Sequence, residues 1–102
     1  MYPTIEIKEF AEKVATQELN VLDVRGVVGF QEGHIEGATN IPLAILPDRY
    51  MELEDDETYY VICKVGISSA KATAFLQEQG FDVINVLQGM DDWEGPVVTG
   101  EA

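Results

Sequence analysis

The sequence predicts an α/β domain built on a mostly parallel sheet. Short apolar runs, some rich in β-branched and aromatic residues, recur along the chain, and between them apolar residues fall at helical spacing. With 102 residues and 46% hydrophobic content, the chain has the size and material for one packed core, so residues 1–102 are read as one domain.

Thr4-Ile5 reads as a short edge strand. Ile7, Phe10, Ala11 and Val14 fall at i, i+3, i+4 and i+7, which predicts a first helix over residues 7–15 with one apolar stripe. Val21–Val24 is a brief buried strand that opens after Asn20 and runs into a polar, glycine-bearing segment. Residues 38–43 make another short strand, broken by Pro42, and residues 44–53 a helix or turn. Tyr59–Ile62, aromatic and β-branched throughout, is the most strand-like stretch. A helix over residues 69–79 follows, with Ala72, Phe75 and Leu76 on one face and Gly80 suited to the left-handed position beyond its end. Val83–Leu87 supplies the last strand and Gly89–Trp93 a last helical turn.

Nineteen acidic residues against six basic ones give a net charge of −13, concentrated in Glu52–Glu57 and Asp91–Glu94. Such a field repels phosphate backbones and anionic lipid, which argues against nucleic-acid or membrane partners. The acid runs read as a solvated face ahead of a docking surface for a basic protein partner. No apolar run approaches the roughly 20 residues that span a bilayer, and the first residues lack the basic and apolar regions of a signal peptide. A soluble, cytoplasmic protein is expected.

The single cysteine has no internal disulfide partner, and with a single histidine it cannot complete a clustered metal site. Cys63 stands between a buried strand and a helix start, where unpaired N–H groups and the positive end of the helix dipole converge on the sulfur. Gly66 lets the turn after Cys63 take angles closed to other residues, so that its successive N–H groups can point inward as an anion-binding nest. Ser68 and Ser69 are N-cap candidates, and Lys64 adds a cation beside the sulfur. A lone cysteine ending an apolar strand is commonly an inert core residue; the glycine and the serines turn this reading toward a reactive thiolate. Asp23 and Arg25, at the end of another strand, are placed to hold neighbouring loops. His34, after Gly33, reads as a structural histidine bracing a loop rather than a general base.

Leu22-Asp23-Val24-Arg25, Phe30, Gly33-His34-Ile35, Gly37-Ala38 and Asn40-Ile41-Pro42 together resemble the N-terminal signature of the rhodanese family. Cys63-x-x-Gly66-x-Ser68, then Gly80-Phe81-x-Val83 and Leu87-x-Gly89-Met90-x-x-Trp93, resemble its active-site loop and C-terminal segment. The resemblance spans about residues 4–95. It implies a rhodanese-like, five-stranded, mostly parallel sheet flanked by helices on both faces. It also implies a ping-pong sulfurtransferase in which Cys63 takes sulfane sulfur from thiosulfate or a persulfide and passes it to cyanide or a thiol. The loop Lys64, Val65, Gly66, Ile67, Ser68 and Ser69 would hold the terminal sulfur as an anion, with Asp23, Arg25 and His34 in support and no metal or organic cofactor. Where many members carry arginine this chain has Ser68, where many carry an acid it has Gly29, and Val65 stands in place of a second loop cation. A doubly anionic donor is therefore expected to bind weakly.

Two other function classes compete. Cysteine phosphatases that share this fold have a loop one residue longer, ending in arginine; here Ser69 occupies that position, and the guanidinium that grips phosphate is missing. Non-catalytic rhodanese-like modules serve as binding platforms, but typically without the cysteine. A protein-to-protein sulfur carrier would use the same chemistry at Cys63.

Overall fold

The computed structural model describes residues 1–101. Its elements in chain order are β1 (Thr4–Ile5), α1 (Ile7–Thr16), β2 (Asn20–Asp23), α2 (Val27–Glu32), β3 (Thr39–Asn40), α3 (Leu46–Arg49), β4 (Thr58–Ile62), α4 (Ile67–Glu78) and β5 (Asp82–Val86). Single 3-10 turns stand at Leu43–Ile45, Tyr50–Glu52 and Met90–Asp92. The five strands form one sheet in the order β1-β5-β4-β2-β3, and every pairing is parallel.

Because alternate side chains of a strand face opposite sides, the central strands divide their apolar residues between two cores. Leu22, Val24, Tyr59, Val61 and Cys63 pack with Leu46 of α3 and with Ala72 and Leu76 of α4. Val21 and Ile62 pack on the other face with Ile7 and Phe10 of α1 and Phe30 of α2. Covering both faces is what a parallel sheet requires, and it explains why successive residues such as Val21 and Leu22 of β2, and Val61 and Ile62 of β4, are all apolar and buried.

After β2 the chain moves to one side, to β3; after β4 it moves to the other, to β5. The crevice between the carboxyl ends of β2 and β4 is thus the point where the winding reverses, the usual place for a site in an open parallel sheet.

Three elements differ from the sequence expectation. Helix α2 arises in the polar, glycine-bearing segment after β2, to which the sequence assigns no element and where two β-branched residues and Gly29 give poor intrinsic helix propensity. Burial of Phe30 against the second core holds it. β3 shrinks to two residues, since Pro42 has no N–H for the ladder, although Ile41 N–H still reaches Asp23 O and Leu43 N–H reaches Val24 O. Helix α4 begins at Ile67 rather than at residue 69, for a reason that belongs to the site.

Candidate active site

Cys63 follows the last residue of β4 and keeps its alternation, so its side chain turns toward the α3/α4 core and is 2% exposed. Gly66 then takes φ +94°, which turns its N–H back onto Cys63 Sγ at 3.0 Å. A side chain there would be strained, with its Cβ 3.3 Å from the backbone nitrogen of Gln88. With Gly66 spent on this turn, it becomes the N-cap of α4, and helical geometry starts at the next residue.

The serine capping expected from the sequence therefore does not occur. Neither serine caps the helix: Ser68 lines the cavity described below, whereas Ser69 is buried with its Oγ unpartnered among the described residues. The positive end of the α4 dipole still points at the sulfur-bearing loop. The side chains of Val65 and Ile67 project outward, 49% and 63% exposed, and only their backbone belongs to the loop.

The turn at Met90–Asp92 forms the back wall of the loop. Met90 N–H donates to Cys63 O at 2.7 Å and Asp91 N–H to Lys64 O at 3.0 Å. This contact leaves no room at Gly89, where an added Cβ would lie 2.5 Å from the carbonyl oxygens of both Cys63 and Lys64. Lys64 Nζ donates to both carboxylate oxygens of Asp91 at 2.9 Å. Two expectations change accordingly. Lys64 is not a free cation beside the sulfur, and Asp91 is not merely part of a solvated acidic face.

The opposite wall comes from the segment after β2. Asp23 and Arg25 do meet, but through a turn rather than a shared strand face, because β2 ends at Asp23. Arg25 Nε and a terminal guanidinium nitrogen grip the buried Asp23 carboxylate at 2.8–3.2 Å, and that same terminal nitrogen donates to Gly33 O at 2.8 Å. Asn40 Nδ2 adds bonds to the carbonyls of Asp23 and Arg25, both at 3.0 Å. The network ties β2, α2 and β3 together at the lip of the crevice.

His34 lies outside the cavity, buried and stacked on Phe30. Its Nδ1 is 2.8 Å from Phe30 O; since a carbonyl only accepts, Nδ1 carries the proton and donates. His34 also exchanges backbone hydrogen bonds with Val98, which fastens the C-terminal segment to α2.

Between these walls lies an open cavity of about 860 Å³ with Cys63 in its lining, an apolar side made by Val24, Pro42, Leu43 and Ala44, and a charged rim of Arg25, Glu32, Lys64 and Asp91. Of the expected site residues it gathers Cys63, Lys64, Ser68 and Arg25, while Asp23 stands behind Arg25. Glu32, Asp91 and Gly89 escaped the sequence reading of the site. Gly89 alone left a signal, as part of the C-terminal pattern. Chemically, the arrangement offers one nucleophilic sulfur, an N–H that stabilises negative charge on it, and room for a second reactant.

The rhodanese-like domain family model matches residues 6–96. The chain is 41% identical over 95 residues to YrkF of Bacillus subtilis, a protein named as a candidate sulfur carrier, covering 91% of this chain and 51% of that one, so it spans about half the length of that relative. It is 38% identical over 97 residues to YtwF of the same organism, named as a candidate sulfurtransferase, covering 89% and 94% of the two chains. A crystal structure of a rhodanese-related protein from Thermoplasma volcanium superimposes with a TM-score of 0.89 at 33% identity, over 97% of this chain and all of the other. Fold, loop and sequence agree, and the chain belongs to the rhodanese-like family.

Proposed function

We propose that this protein is a sulfurtransferase that holds sulfane sulfur as a persulfide on Cys63. The observation that supports this best is the hydrogen bond from Gly66 N–H to Cys63 Sγ at the floor of an open cavity. A core cysteine needs no such donor and no such opening.

In the loading step the Cys63 thiolate attacks the outer sulfur of a persulfide R–S–SH. A bond forms between Sγ and that sulfur, the donor S–S bond breaks, and its electron pair leaves on R–S⁻. In the unloading step an acceptor thiolate attacks the outer sulfur of Cys63–S–SH; the Sγ–S bond breaks, and Cys63 departs as thiolate. Thiosulfate as donor, with sulfite leaving, and cyanide as acceptor fit the same scheme. The Gly66 N–H and the α4 dipole favour charge on sulfur in both steps. No step requires a metal or organic cofactor. We place the reaction in a reducing, cytoplasmic compartment, where a lone thiol stays available.

The retained Cys63 and its N–H donor favour this reading over a non-catalytic binding module. Intact mass spectrometry of protein purified without reductant, then treated with thiosulfate or a small persulfide, tests it. The native protein should gain one sulfur atom, lose it to cyanide, and show neither change as Cys63→Ala. Sulfur loading on the Cys63→Ala variant, or no loading of the native protein by either donor, refutes the assignment.

A further inference from the structure

We propose that the physiological sulfur partner of Cys63 is a cysteine on a polypeptide segment with apolar and basic side chains, docked on a collar of exposed apolar residues around the cavity mouth. This rests on the reading of Cys63 as the sulfur-bearing residue.

The collar comes from three separate parts of the chain. Val28, 69% exposed, directly precedes the cavity-lining Gly29. Ile45 is 39% exposed and follows the cavity-lining Ala44. Val65 and Ile67, also exposed, sit between the cavity-lining Lys64 and Ser68. Among the described residues, four of the nine exposed large apolar residues thus adjoin residues that line this one opening, although they come from three separate parts of the chain. Single exposed apolar side chains need no explanation, but a group of them around a reactive sulfur marks a contact surface.

Charge decides what covers it. The two cations of the rim are already engaged, Arg25 with Asp23 and Gly33 O, and Lys64 with Asp91. Glu32 has no basic partner among the described residues, and the whole chain carries −13. The mouth therefore repels small dianions and attracts a positively charged partner. Depth decides how the sulfur arrives: Cys63 is 2% exposed, so the second sulfur must project into the cavity, as a cysteine side chain on a docked segment does. A small free thiol would reach Cys63 but leave the collar uncovered.

The test is single-turnover transfer from persulfide-loaded protein, followed by intact mass, to short synthetic peptides with one central cysteine. One has apolar and basic flanks, one apolar and acidic flanks, and one basic flanks set in glycine and serine; cyanide serves as the small acceptor. The apolar, basic peptide should react about tenfold faster than either other peptide, the equivalent of about 1.4 kcal/mol. The double variant Val28→Ser with Ile45→Ser should remove that advantage and leave transfer to cyanide unchanged. Equal rates for the three peptides, or an equal fall with cyanide in the double variant, overturns the proposal while leaving Cys63 as the sulfur carrier. A native dimer at micromolar concentration that the double variant dissolves assigns the collar to a second copy and also overturns it. Failure of Cys63 to load sulfur sinks both readings.

Discussion

Gly89→Ala tests whether the turn at Met90–Asp92 sets the shape of the sulfur-bearing loop. At φ +74° and ψ −167°, a region open essentially to glycine alone, an alanine costs about 1–3 kcal/mol in backbone strain. Its Cβ would also lie 2.5 Å from two backbone oxygens, those of Cys63 and Lys64, neither of which can swing aside as a flexible side chain would. Relief requires the turn to move off the loop, at the expense of the Met90 N–H to Cys63 O and Asp91 N–H to Lys64 O hydrogen bonds. Each such bond contributes about 0.5–1.5 kcal/mol. The sum is about 2–6 kcal/mol, a large fraction of the stability of a domain this size. Urea unfolding measures the loss, and transfer of sulfur from Cys63 to cyanide measures the distortion. A variant within about 1 kcal/mol of the native protein, with undiminished transfer, would refute the view that this contact holds the loop.

Arg25→Lys keeps the charge but loses the fork that satisfies Asp23 and Gly33 O together, and should cost about 2–3 kcal/mol in denaturant unfolding; a negligible change would mean the lip is braced elsewhere. Asp91→Asn releases the Lys64 ammonium toward the cavity. It should raise the rate with thiosulfate by up to about fivefold at low salt, the range of an exposed ion pair, and the gain should fade as salt is added. Hydrogen bonds from Arg49 hold the Glu52 carboxyl below its usual range, so the pair favours the fold above the unfolded-state titration and is lost as pH falls through the lowered one. Arg49→Ala should therefore move the Glu52 titration upward by NMR, while this solvent-screened surface pair leaves the unfolding midpoint in the acid range nearly unchanged.

The composition and local pattern of the chain were enough for the fold class and for the place of Cys63 at a strand-to-helix turn. Two short, largely apolar runs, Val21–Val24 and Tyr59–Ile62, read as buried strands, and Cys63 with Gly66 directly after one of them marks a strand-to-helix turn that needs a positive φ. These are short-range signals, legible because each depends on residues a few positions apart. Tertiary structure decided the rest. Helix α2 exists because Phe30 finds a core to enter, not because its residues favour a helix. The start of α4 is set by the bond from Gly66 N–H to Cys63 Sγ, which overrode the capping preference of two serines. The electrostatics of the mouth depend on Lys64 meeting Asp91, 27 residues later in the chain, and on Arg25 turning back to Asp23. Charge counts along a sequence cannot reveal such pairings, because which acid faces which base is settled only when the strands assemble into the sheet.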